Sequence, residues 1–212
     1  MAMFREHIAW GAIVALIVVV ALYSYALVTD IRLLLLLFGV TVTGSFLPDT
    51  DSDSSMPFYL VFGGMTLVAT GVVLLYTLAS TYAGDWRYLV GIPATAFVLF
   101  WVVVGGIVKR LTHHRGIFHS LPALAISATG AFLVAHYYGF SDEQALIFGG
   151  AMAAGFFTHL VLDEVYAGIT LDGIPFNPKS SFGGALKMFT RSNTVNTATY
   201  ALLTVLLFLA LQ

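Results

Sequence analysis

The sequence predicts an all-α integral membrane protein, a bundle of about seven transmembrane helices. Apolar residues make up 59% of its 212 residues and charged residues only 9%, whereas soluble domains carry about 25% charged residues. Several apolar stretches reach or approach the roughly 20 residues that a helix needs to cross a bilayer. We therefore expect a single transmembrane helical domain over residues 1–212, with the lipid bilayer as its surroundings.

The predicted spans are separated by short polar turns and by one long segment. That segment, at about residues 167–193, is rich in glycine and proline, which argues against a continuous helix. We expect it to be a loop or a partial lid. Six spans are predicted at about residues 7–28, 33–47, 57–78, 88–108, 120–138 and 194–211. One more, the sixth in chain order, opens with a capping-box sequence at 141–144 and carries His159 and Asp163 near its far end.

The distribution of basic residues predicts the orientation. With the N-terminus in the cytoplasm, seven lysines and arginines fall on the cytoplasmic face and two on the other. This asymmetry follows the positive-inside rule. We expect a protein of the cytoplasmic membrane with no nucleic-acid partner, and the oligomeric state stays open. The seven are Arg5, Lys109, Arg110, Arg115, Lys179, Lys187 and Arg191, and the two are Arg32 and Arg87.

The same topology brings titratable residues from four separate segments to one membrane depth, on the cytoplasmic side. The segments are His7, the loop 49–53, the stretch 113–119 and the pair at 159 and 163. Polar groups inside spans are costly and usually functional. The chain has no cysteine, so a metal ion bound here would be held by imidazole and carboxylate groups.

Each candidate ligand also has a simpler interpretation. His159 and Asp163 are four residues apart on one helical face, which suits either one divalent cation or a His–Asp hydrogen bond. Asp49 and Asp51 follow a proline and repel each other unless a cation or donors lie between them, or they cap the next helix. The stretch 113–119 is either a ligand-bearing corner that bends at Gly116 or a hydrated loop.

The candidate set is large enough for one or two metal ions. Nitrogen and carboxylate ligands without sulfur suit zinc, manganese or iron, and the spacing of the residues does not choose among these ions. The seven candidate ligands are His7, Asp49, Asp51, His114, His119, His159 and Asp163.

Three further residues are candidates for catalysis or substrate binding. Arg115 would hold an anionic substrate oxygen or would only fix the topology, and Lys179 would assist with the anion. Glu164 points about 100° away from Asp163 on an ideal helix. It would be a general base only if the helix ended there.

These residues resemble the YdjM-like membrane-bound metal-dependent hydrolases. Members carry an N-terminal His with a small residue four positions on, then Leu-Pro-Asp-x-Asp-His, His-Arg-Gly-x-x-His-Ser, and Ser/Thr-His-x-x-x-Asp before a loop containing Gly. Ser52 stands where the family usually has a histidine. The resemblance implies hydrolysis with a divalent metal, most often zinc, and does not define the substrate. The matching positions here are His7 with Gly11, Leu47–Asp51, His114–Ser120, and Thr158–Asp163 with Gly168 beyond.

The preferred hypothesis is a membrane-embedded hydrolase in which a metal-activated water attacks an ester or phosphoester at the cytoplasmic face. Its partner would be a lipid-like or phosphorylated small molecule. A divalent cation or proton transporter is the first alternative, although the opposite half of the bilayer carries few polar groups. A non-catalytic scaffold with a structural metal is the second.

Overall fold

The computed structural model describes residues 3–51, 56–104, 117–168 and 183–212. Within these ranges it contains seven α-helices and no β-strand, which confirms the predicted all-α class. The helices are α1 Phe4–Ser24, α2 Ile31–Phe46, α3 Met56–Leu78, α4 Trp86–Leu99, α5 Leu121–Tyr137, α6 Asp142–Gly168 and α7 Asn193–Ala210.

Several helices are suited to a bilayer by length and composition. Four helical stretches are long and apolar enough to cross a membrane: α1, Ile31–Thr50, α6 and α7. Shorter apolar helices cover Phe62–Leu78, Trp86–Val102 and Leu121–Tyr137. Large apolar side chains such as Leu35 and Phe208 remain more than 60% exposed, as expected for surfaces that face lipid and not water.

Polar side chains cap the helices where the sequence changes from turn to apolar run. Asp30 accepts a hydrogen bond from the Arg32 amide at the start of α2, and Ser120 accepts one from the Ala123 amide at the start of α5. Ser141 and Gln144 form the predicted capping box at the start of α6. These bonds satisfy backbone donors that have no partner inside the helix.

The chain divides into two compact units. The second unit, Asp49–His114, contains α3 and α4. There the Phe62 ring packs on Phe100 and Trp101, with ring centroids 5.5 and 5.4 Å apart. The first unit, Met1–Pro48 with Arg115–Gln212, contains the other five helices. That the two act as one domain stays a prediction.

The core of the first unit lies along α6. Toward one end of this helix Phe148 and Ala151 pack with Leu33 and Leu37 of α2. Toward its other end Phe156 and Leu160 pack with Ala185, and with the partly buried Leu47, Leu121, Ala123 and Leu124. The second cluster borders His159, so the polar residues of α6 lie beside an apolar layer.

Glycines allow α2 and α6 to approach until their backbones touch. A Cβ atom at Gly155 would overlap the carbonyl of Thr41, and one at Gly44 would lie 2.5 Å from the carbonyl oxygen of Met152. Small residues at helix interfaces permit such approach in membranes. The approach brings the end of α2 next to the last turns of α6.

We expect Gly155→Ala to destabilise the protein, because the added methyl forces α2 and α6 apart. Overpacking of this kind costs about 1–3 kcal/mol. Gly150→Ala is the matched control on the same helix, since nothing lies within 4 Å of a Cβ placed there. Thermal unfolding in detergent should show a lower midpoint for Gly155→Ala and an equal or higher one for Gly150→Ala. Equal midpoints for both variants would contradict the close approach.

Candidate metal centre

Four buried polar side chains meet at one end of the first unit. They are His7, His119, His159 and Asp163, with exposed fractions of 1%, 1%, 0% and 2%. His7 comes from the first turns of α1, His119 immediately precedes the cap of α5, and the other two lie on α6. Burial of four such groups in a chain so poor in polar residues is costly without partners.

A backbone hydrogen bond fixes the protonation of His159. Its Nδ1 lies 2.8 Å from the carbonyl oxygen of Ser45 at the end of α2. A carbonyl can only accept, so Nδ1 carries a proton, and in the neutral form of the ring the lone pair lies at Nε2. Histidines that bind metals typically donate their second N–H to a backbone carbonyl or a carboxylate in this way.

His119 faces this lone pair. Its Nε2 is 3.3 Å from Nε2 of His159, with the two rings inclined by 62°. The side chain is held at the entrance to α5 because Ser120 is extended, caps the helix and hydrogen-bonds back to the Ile117 carbonyl. Two Nε2 atoms this close need either a shared proton or a shared cation between them.

Asp163 lies beside both imidazole groups without an ordinary hydrogen bond. Its Oδ1 is 3.5 Å from Nε2 of His7, and its Oδ2 is 3.6 Å from Nε2 of His119. Normal N–H···O bonds measure about 2.7–3.2 Å. Neither oxygen has a hydrogen-bond partner among the residues that the structure describes. A buried carboxylate in this condition calls for an explanation such as a bound ion or water.

His7 is placed by packing and by a neighbouring link. Its ring stacks on that of His159 at 3.8 Å between centroids and an angle of 14°. One turn later, Gly11 lets α1 touch α2, since a Cβ there would overlap the Ser45 side chain. Glu6 accepts a hydrogen bond of 3.0 Å from the Tyr166 hydroxyl of α6. The link holds the start of α1 to the helix that carries Asp163.

Of the other predicted ligands and anion-binding residues, the structure describes only Asp49 and the backbone of Asp51. Asp49 is the first residue of the second unit and lies, with the backbone of Asp51, in the short 3-10 helix Leu47–Asp51. The Asp51 side chain, His114, Arg115 and Lys179 lie outside the described residues.

Glu164 lies within the described residues, and its side chain is hydrogen-bonded to backbone amides. Helix α6 continues past it to Gly168. Its carboxylate accepts hydrogen bonds from the amides of Gly183 and Ala185. The predicted condition for its role as a base, that the helix ends there, is not met.

Sequence reasoning missed the residues that orient the cluster. Ser45 acts through its backbone carbonyl, which leaves no side-chain signature in a sequence. Gly44 and Gly155 are two of twenty glycines, and only the partner helix distinguishes them. The Glu6–Tyr166 pair joins residues 160 positions apart. The only available signal was that Glu6 adjoins a candidate ligand.

Together, the fold and the cluster define a helical membrane protein with a buried His/Asp group able to hold a metal ion. Ligand atoms of His119, His159 and Asp163 all lie within 4.8 Å of one another.

The chain belongs to the YdjM inner membrane protein family, whose model matches residues 1–212. This confirms the resemblance drawn from the four motifs. No curated protein and no solved structure matches the chain.

We expect Tyr166→Phe to lower the free energy of unfolding by about 1 kcal/mol, the usual net value of a lost hydrogen bond. The substitution removes the hydrogen bond from Tyr166 of α6 to Glu6 of α1 but keeps the aromatic ring. Tyr138→Phe is the control, because Tyr138 is 75% exposed and its hydroxyl has no hydrogen bond within the described ranges. Chemical unfolding in detergent measures both variants. A shift of the same size in both would show that the Glu6 link is not the cause.

Proposed function

We propose that this protein is a membrane-embedded metal-dependent hydrolase that cleaves an ester or phosphoester at the cytoplasmic face of the membrane. The observation that supports it most is the convergence of His119 Nε2, His159 Nε2 and the Asp163 carboxylate. The lone pair of His159 is already fixed toward the other two by the Ser45 carbonyl.

The spacing of these atoms suits ligands of a single metal ion. A tetrahedral zinc with bonds of about 2.0–2.1 Å keeps its ligand atoms about 3.3–3.4 Å apart. An octahedral ion with bonds of the same length would hold neighbouring ligands about 2.9 Å apart. The separations are 3.3 Å between His119 and His159 and 3.6 Å between His119 and Asp163, both near the values that such ions impose on their ligands.

Three of the proposed ligands meet in the described part of the first unit, which suits a catalytic site. Catalytic zinc sites commonly use three protein ligands and leave the fourth position for water, whereas structural sites are closed by four. His119, His159 and Asp163 supply three. His7 faces the other oxygen of Asp163, so we assign it to orienting that carboxylate or to a second ion.

Asp49 is proposed as a further ligand because of its place in the chain. It stands four residues after Ser45, on the helical stretch that continues from α2, and one residue after the buried Pro48. Two ions would need a second set of ligands of this kind. His114, Arg115 and Lys179 keep their predicted roles as ligand and anion-binding residues within the proposal.

Several described residues would each have a separate role in the reaction. Ser45 and His7 hold the ligands in orientation, and the layer of Phe156 and Leu160 limits water around them. The chemistry that a zinc ion supplies in such a site is activation of water at neutral pH. The apolar surroundings and the positive-inside charge distribution favour an amphipathic, anionic substrate at the inner leaflet.

We expect the purified protein to bind about one zinc ion, or two if the other predicted ligands complete a second site. His159→Ala and Asp163→Ala should each lower the bound metal by tenfold or more at limiting zinc, because each removes one of three ligands. Metal content is measured by mass spectrometry after equilibrium dialysis. His136→Ala is the control, since His136 is 58% exposed and paired with Asp142 at the other end of α5. Unchanged metal in both ligand variants would end the proposal.

We expect chelation to destabilise the wild-type protein and to have little effect on Asp163→Ala. Free metal at 100 times its dissociation constant stabilises a folded protein by about 2.7 kcal/mol. Thermal unfolding with and without a chelator gives this difference.

Hydrolysis is tested with a panel of p-nitrophenyl esters and phosphoesters in zinc-loaded nanodiscs. Tight metal binding without hydrolysis of any of these, or of anionic lipids, would favour a structural metal site instead.

A further inference from the structure

The segment Gly183–Lys187, here called the strap, is held by the carboxylate of Glu164. The Gly183 amide donates to Glu164 Oε2 at 2.7 Å, and the Ala185 amide donates to Oε1 at 2.6 Å. Both oxygens of one carboxylate are therefore engaged by neighbouring amides. Bonds from N–H groups to a charged acceptor are short and about twice as strong as neutral ones.

The other end of the strap is fixed to the start of α5. The Leu121 amide donates to the Lys187 carbonyl at 3.1 Å, and Ser120 forms an isolated parallel bridge with Lys187. Between the two ends, Ala185 is only 6% exposed and packs against Phe156 and Leu160 of α6. Gly183 has a φ of +79°, a left-handed conformation that favours glycine.

Both attachment points adjoin candidate ligands. Glu164 follows Asp163 directly, and Ser120 follows His119 directly. The strap therefore connects the part of α6 that carries one ligand to the turn that carries the other. His119 and Asp163 have no direct bond of ordinary length between them, since their closest polar atoms are 3.6 Å apart.

We propose that Glu164 is a positioning residue: by clamping the strap, it sets the distance between His119 and Asp163 and so the affinity of the cluster for a metal ion. This inference rests on the proposed function. It gives Glu164 a role different from general base catalysis. A general base needs a lone pair directed at the reacting water, whereas each carboxylate oxygen here uses one of its lone pairs to accept a hydrogen bond from a backbone amide of the strap.

The test compares the full-length wild type with Glu164→Ala and Glu164→Gln in detergent micelles. Hydrogen–deuterium exchange of peptides covering residues 183–187 reports the clamp, and competition with a zinc-binding dye reports affinity. Loss of a residue that supports a ligand typically costs 10–100-fold in metal affinity. We expect Glu164→Ala to speed exchange of the strap amides at least tenfold and to weaken zinc binding by about tenfold. Glu164→Gln keeps one acceptor oxygen and should give intermediate values.

The control is Glu143→Ala, which removes an exposed glutamate from the opposite end of α6 and should change neither measurement. Unchanged strap exchange in both Glu164 variants would overturn the clamp, even if the wild type binds zinc. Faster exchange of the strap amides with unchanged zinc affinity would overturn the proposed effect of Glu164 on the distance between His119 and Asp163. If Glu164 acted only as a general base, Glu164→Gln would change neither the exchange of the strap amides nor the affinity for zinc. If the wild type binds no zinc, the proposed function fails, while the exchange experiment still decides whether Glu164 holds the strap.

Discussion

The backbone contact between α2 and α6 is the constraint on which the rest of the site depends. Gly44 and Gly155 let the two helices touch, and the Ser45 carbonyl then reaches Nδ1 of His159. A wider separation would remove the backbone acceptor that holds the proton of that imidazole on Nδ1. The orientation of one ring by a main-chain atom therefore determines where the lone pairs of the cluster meet.

Such a cluster is poor at stabilising a fold. An unsatisfied buried polar group costs about 1–3 kcal/mol, and whole domains are stable by only about 5–15 kcal/mol. The two oxygens of Asp163 lack hydrogen bonds among the described residues, so apolar side chains of similar volume would make a more stable core. Groups retained at this cost are better explained by what they bind.

The sequence predicted the helices and the ligand residues of the cluster, but not the contacts that orient those ligands. Apolar runs and capping residues located the seven helices, and the four-residue spacing of His159 and Asp163 put both on one face. The positive-inside rule placed His7 and His119 at the same end. The sequence could not predict which distant groups come into contact. Ser45 contributes a backbone carbonyl, and the hydrogen bond between Glu6 and Tyr166 depends on how α1 packs against α6. Glu164 finds its partners 19 and 21 residues further along the chain, beyond any local pattern.

The order in which the cluster residues occur along the chain has a consequence for biogenesis. Ser45 and His159 are separated by 114 residues, and His7 comes from the first turns of the first helix. No fragment that stops before the last turns of α6 contains a complete set of ligands. A metal ion held as proposed would therefore find its full set of ligands only after synthesis of the chain has passed Asp163.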